Sequence, residues 1–154
     1  MWPKSPTSCS ANPMSDFGSD RFRDEAILAS RLLLTLLFLV FGWKKLMGFD
    51  GTIGYMTSVG APLPELSAVI AVVMEFFVGI AVLLGVTTRP LALLFMVYTL
   101  GTALIGHPFW TMNGMDQNEA MINFYKNISI MGGLLLLYVT GAGKYSADAR
   151  VGWA

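Results

Sequence analysis

Charge is what this chain has least of. Only 13% of its residues are Asp, Glu, Lys or Arg, about half the share found in an ordinary soluble domain. That is too little polar sequence to coat a core made from the rest. A single cysteine, Cys9, excludes an internal disulfide, a Cys-x-x-Cys thiol site and an iron–sulfur cluster held by one chain. A single histidine, His107, excludes a bis-histidine haem within one chain. There is no glycine-rich dinucleotide fingerprint and no ligand set for a metal. The net charge is zero, and no basic stripe with interleaved aromatics marks a nucleic-acid partner.

What is present is apolar. Hydrophobic residues make up 55% of the 154 and collect into four blocks, at 26–43, 66–86, 90–107 and 121–140. Each approaches the roughly 20 residues that cross a bilayer as a helix. The fold class expected is therefore all-α, a membrane-spanning four-helix bundle. Residues 1–25, rich in Ser, Pro, Asp and Asn, read as a disordered or loosely held leader before a 26–150 transmembrane domain. Residues 21–41 carry a basic flank and an apolar core but no small-x-small cleavage site, so they stay as the first span.

Basic residues set the orientation of such a bundle. Lys4, Arg21, Arg23, Arg31, Arg89, Lys144 and Arg150 fall on the side of the termini and the second loop, against Lys44, Lys45 and Lys126 near the first and third loops. Seven against three predicts a cytoplasmic (inner) membrane protein with both termini cytoplasmic. Arg31 and Arg89 read as inner-face anchors. In the first loop, Asp50 is expected to cap a short outer-face helix carrying Ile53, Met56 and Val59, ended by Gly60 and Pro62. Phe109 and Trp110 in the third loop sit at interface depth.

Polar and small residues recur on one stripe of each span. The stripes are Arg31, Thr35, Phe38, Gly42 and Lys45; Ser67, Ala71, Glu75 and Gly79; Thr99, Ala103 and His107; and Lys126, Ser129, Gly133, Leu136 and Thr140. Small residues at this spacing let helices approach closely in lipid. Four inward seams define a core wettest at its outer end, lined by Lys45, Glu75, His107 and Lys126. Glu75 stands out among these, because a carboxylate near mid-membrane is costly and marks function by default. It lies nine residues beyond Leu66, or about 14 Å deep at ~1.5 Å per residue. From the outer boundary, Lys45 meets it only by turning inward or through water.

The segments GWKKLMGFDGTIGYMTSVGAP, MEFFVGIAVLLGVTTRPLAL, IGHPFW and FYKNISIMGGLLLLYVTGAGKYSAD resemble the DoxX family of small four-helix membrane proteins, over about residues 26–150. Gly42 and Lys45 match the close of the first helix. Glu75, Gly79, Gly85 and Arg89 match the second, His107 ends the third, and Lys126 and Asn127 open the fourth. Gly141, Gly143, Ser146 and Asp148 match the tail motif, with Ala142 where the family usually has proline.

The resemblance implies the four-helix fold and a redox-linked role, and the residues themselves leave two readings of function. In one, the chain is a subunit of a membrane oxidoreductase, linked to quinone or to sulfur and thiol chemistry, with no intrinsic cofactor. Electrons then pass through a diffusible quinone or a partner redox subunit. Lys45, His107 and Lys126 hold carbonyl or anionic oxygens, and Glu75 exchanges the proton. In the other, it is a non-enzymatic small-molecule channel, proton-coupled transporter or assembly module, alone or as a homo-oligomer, and the same residues form a structural network.

Overall fold

The computed structural model describes residues 22–152, so the expected leader lies outside the described residues as far as position 21. In chain order the elements are α1 (Arg23–Met47), α2 (Phe49–Ser58), α3 (Pro64–Val72), a π-helical segment (Val73–Val78), α4 (Gly79–Leu84), α5 (Thr88–Gly106), a 3₁₀ turn (Phe109–Thr111), α6 (Gly114–Thr140) and α7 (Ala147–Arg150). Because α3, the π segment and α4 form one rod, four helices among the described residues are long and apolar enough to cross a membrane: Arg23–Met47, Pro64–Leu84, Thr88–Thr111 and Gly114–Thr140. The all-α membrane bundle stands as expected. The helices outrun the apolar blocks because polar residues continue them into the interface. Asp24 and Glu25 occupy the first turn of α1, where negative charge suits the helix dipole.

The third and fourth spans pack along their length, and the first lies against the second and fourth. Phe38, Met74, Val82, Ala92, Phe95, Leu134 and Leu137 make the central core, with the Phe38 and Phe95 rings 4.4 Å apart, centroid to centroid. Leucines and valines such as Leu33, Leu36, Val97, Leu136 and Val139 are left exposed. In a bilayer these side chains face lipid.

The expected seams hold for the first three spans. Arg31, Thr35, Phe38 and Gly42 are buried on α1, Ala71, Glu75 and Gly79 on the second span, and Thr99 and Ala103 on α5. The fourth holds at Gly133, where an added Cβ would lie 2.7 Å from Leu34 Cδ2 of the first span, and is corrected elsewhere. Lys126, Ser129 and Leu136 are exposed, and the inward positions are Ala120, Asn127, Leu134 and Leu137. Asp50 also proves not to cap α2. Gly48 holds the cap position without a side-chain bond, and Asp50 sits in the first helical turn. Gly60, at φ +69°, ends that helix as expected.

The end of the bundle that carries the termini is stitched by the tail. Gly85 closes the second span in the left-handed region at φ +73°, and Thr87 follows at φ +43°, a conformation that costs a β-branched residue energy. The Asp148 carboxylate accepts from the backbone N–H groups of Thr87 (2.6 Å) and Thr88 (2.8 Å), and the Asp148 N–H donates to the Gly85 carbonyl at 2.9 Å. Asp148 thus supplies α5 with the N-terminal cap that its own Thr87 does not make. Ser146 Oγ accepts from the Ala149 N–H and donates to the Gly143 carbonyl. Arg31 is not the inner-face anchor expected from sequence. It is 1% exposed and donates through Nη2 to the Tyr145 carbonyl, because the returning tail covers the guanidinium that would otherwise reach headgroups.

Candidate functional site

The other end opens into a cavity of about 560 Å³ between the spans, within the size range of small-molecule sites. Its wall is mainly apolar, with Leu37, Phe38 and Phe41 from α1 and Ile70 and Ala71 from the second span. Tyr55 and Met56 of α2, and Val59 just after it, line one side. The lining reaches no further along the bundle than Leu37, Glu75, Tyr98 and Asn127, and beyond that level the core of Val82, Ala92, Leu134 and Leu137 fills the space. The cavity is a blind pocket.

All four residues singled out from sequence line it: Lys45, Glu75, His107 and Lys126. The structure joins two of them. Lys45 Nζ donates to both carboxylate oxygens of Glu75 as an ion pair. Glu75 is 6% exposed and eleven residues into a span that runs nine further, so this pair lies at mid-span. The contact is direct, without the intervening water that the depth argument allowed, because α1 crosses the second span at Gly42. A Cβ at Gly42 would lie 2.7 Å from the Phe76 nitrogen and 2.9 Å from the Glu75 carbonyl carbon. Lys45 is one turn beyond that crossing, so it starts from nearly the depth of Glu75 rather than from the boundary.

His107 and Lys126 stand apart from the pair. His107 is half-buried at the end of α5, where its backbone N–H still donates to Ala103. Lys126 is exposed and donates to Asn123 Oδ1 at 2.7 Å.

Two features of the site went unread in the sequence. The Tyr98 hydroxyl donates to Glu75 Oε1 at 2.7 Å, giving the carboxylate a donor from the third span as well as the first. A tyrosine amid an apolar span was the available signal, since a buried phenol needs a partner. The other is the π-helical turn that carries Glu75 itself. Such bulges widen the helix by one residue and occur often at functional sites. Tyr55, reaching across from α2, has its phenol pKa raised by burial and then by the negative charge of Glu75, so it stays neutral beyond the usual tyrosine range.

These observations define the class: a small four-span helical membrane protein with a blind polar-floored cavity at one end and a tail-stitched turn at the other. The DoxX family model matches residues 26–108, and the chain belongs to the DoxX family. It is 53% identical over 135 residues to the inner membrane protein YphA of Escherichia coli (strain K12), covering 88% of this chain and 95% of YphA. It is 38% identical to the inner membrane protein YqjF of the same organism, over 83% of this chain and 93% of YqjF. It is also 31% identical over 77 residues to the Bacillus subtilis (strain 168) protein named "Putative oxidoreductase CatD", over 50% of this chain and 56% of that protein. No solved structure is a significant match.

Proposed function

We propose that this protein is a redox-linked subunit of the cytoplasmic membrane whose cavity binds the head of a lipid-soluble quinone. The observation that carries the reading is the Lys45–Glu75–Tyr98 cluster set in the floor of an otherwise apolar, blind pocket. A through-channel is disfavoured by the packed core below that floor. The partial likeness to CatD supports the redox assignment.

The residues present suit such a group. Flat apolar walls accept a ring, and a small number of polar side chains orient it. When bound, a quinone supplies the redox chemistry by taking up two electrons, delivered by a partner subunit, and two protons. The chain's own task is then binding and proton handling. Glu75 holds or releases a proton at its carboxylate. The Lys45 ammonium compensates that carboxylate when it is ionised and donates to an anionic oxygen when it is not. Tyr98 fixes the carboxylate's orientation through Oε1. His107 and Lys126 at the mouth link the floor to water.

Titrating the purified full-length protein with a short-chain benzoquinone, followed by tryptophan fluorescence, tests this. The wild type should bind saturably. Glu75→Gln, which keeps size and hydrogen-bonding capacity, should stay folded and lose affinity by at least roughly tenfold, because the Lys45 ammonium that donates to the ring is no longer held in place by its counter-charge. Unchanged affinity in a folded Glu75→Gln variant would sink the assignment.

The same reading places the cavity on the outer face and both termini in the cytoplasm, on the distribution of basic residues. A cysteine placed at Asn113, in the loop before α6, should react with an impermeant maleimide in intact cells. A C-terminal tag should be cut by protease only after lysis. The opposite pattern would invert the orientation.

A further inference from the structure

We infer that Asn127 is a specificity-determining residue of the cavity, its side-chain amide donating to a second acceptor oxygen of the bound ring compound at a point separate from Glu75. The inference rests on the cavity reading above and deepens it by naming the residue that recognises the second carbonyl oxygen of the quinone ring.

Nearly every polar group that lines the pocket has a partner or meets water. Lys45, Glu75 and Tyr98 satisfy one another. Ser67 donates to the Pro62 carbonyl at 2.6 Å, and Thr102 to the Thr99 carbonyl at 2.9 Å. Lys126 and Asn123 pair at the mouth, where His107 and Tyr55 keep enough exposure to meet water. Asn127 differs from all of these. It is 8% exposed and lines the cavity, yet its amide has no hydrogen-bond partner among the described residues. An asparagine side chain offers two donors and one acceptor oxygen, and burying them unpaired is unfavourable.

Side-chain atoms that are sealed and unpartnered do exist here, but they are Arg31 Nε, Arg31 Nη1 and Thr88 Oγ1, at the opposite end of the bundle. Those of Asn127 are not sealed in this way, which fits an amide opening on the pocket.

Lys45, which has a third N–H beyond the two it gives to Glu75, lines the pocket from the first span, whereas Asn127 comes from the fourth, which packs chiefly on the third and first. Much of the remaining lining is apolar, with Leu37, Phe38, Phe41 and Ile70. A ring lying against these side chains is addressed from two different walls. A neutral amide grips a carbonyl oxygen without adding a charge that would have to be desolvated.

The test compares two probes on the intact protein in detergent: a short-chain 1,4-benzoquinone, and a cyclohexadienone of like size in which one carbonyl is replaced by a dimethyl-substituted carbon. The wild type should prefer the dione. Asn127→Leu should weaken dione binding roughly tenfold, the equivalent of one lost hydrogen bond, and leave the mono-ketone unchanged. Its thermal midpoint should hold or rise, since no internal hydrogen bond is removed. Asn127→Ser, which keeps a small donor, should recover part of the preference and serves if the leucine variant folds poorly.

Equal weakening for both probes, or a fall in thermal midpoint in step with affinity, would make Asn127 merely structural and overturn the inference. Dione binding that is lost in Glu75→Gln but untouched in Asn127→Leu would also overturn it, while leaving the cavity reading intact. Failure of the wild type to bind either probe would overturn both.

Discussion

Lys45→Met is expected to destabilise the protein by about 3 to 5 kcal/mol at neutral pH, the usual cost of stripping a buried charge of its partner. The Glu75 side chain is 8% exposed, and after the substitution only Tyr98 would still donate to it. Glu75→Gln should cost less, because the Lys45 side chain keeps 24% of its surface exposed and can turn its ammonium toward the interface. The double variant Lys45→Met with Glu75→Gln should recover much of the stability lost in Lys45→Met, since no uncompensated charge remains. Chemical or thermal unfolding in detergent of all four proteins gives the coupling directly. Additive losses would show that the two groups do not act as a pair, whatever their proximity.

Gly85→Ala should be comparably damaging for a reason unrelated to charge. At φ +73° a Cβ is strained, and here it would also collide with Arg31 Nη1 and Ser146 Cβ. Left-handed backbone costs about 1 to 2 kcal/mol for a non-glycine residue, and overpacking adds about 1 to 3. The matched control is Gly132→Ala in α6, where an added methyl meets nothing within 4 Å. That change should be neutral or slightly stabilising, because alanine is the better helix former by roughly 0.5 to 1 kcal/mol. Thermal midpoints of the two variants should therefore move apart. A Gly85→Ala protein as stable as wild type would mean that the tail does not pack as described.

Span number and helical class were legible because bilayer thickness imposes a length that apolar runs either reach or do not. The inward faces of the first three spans were legible because each places small or polar residues, such as Thr35, Ala71 and Thr99, on a single stripe. The fourth was not, for a physical reason. In a membrane both lipid and core are apolar, so periodicity fades, and Lys126 at the wet end was read as a marker of the inward face when it is a mouth residue. Ala120, Asn127 and Leu134 recur every seven positions but carry no common polarity. The site itself was half legible. Glu75 announced itself by its cost, and Lys45 by its helix-end position. Their direct contact depended on the crossing at Gly42, and the widened turn under Glu75 leaves no mark in VMEFFV that propensity can read. The tail's return to Arg31 and Thr87 spans more than sixty residues in one case and more than a hundred in the other, beyond any local pattern.

That last separation sets a timetable for assembly. Arg31 leaves the ribosome 114 residues before the carbonyl that receives it, and at about 5 to 20 residues per second the gap is on the order of ten seconds. Throughout that interval a guanidinium on the first span has entered the membrane without its final acceptor, so it must stay near the headgroups or in the insertion machinery. The arginine gains its acceptor only when Tyr145 arrives. Synthesis of the segment around Tyr145 is thereby coupled to locking of the first helix, and a nascent protein cut short before Tyr145 would present the cell's membrane proteases with an unlocked span.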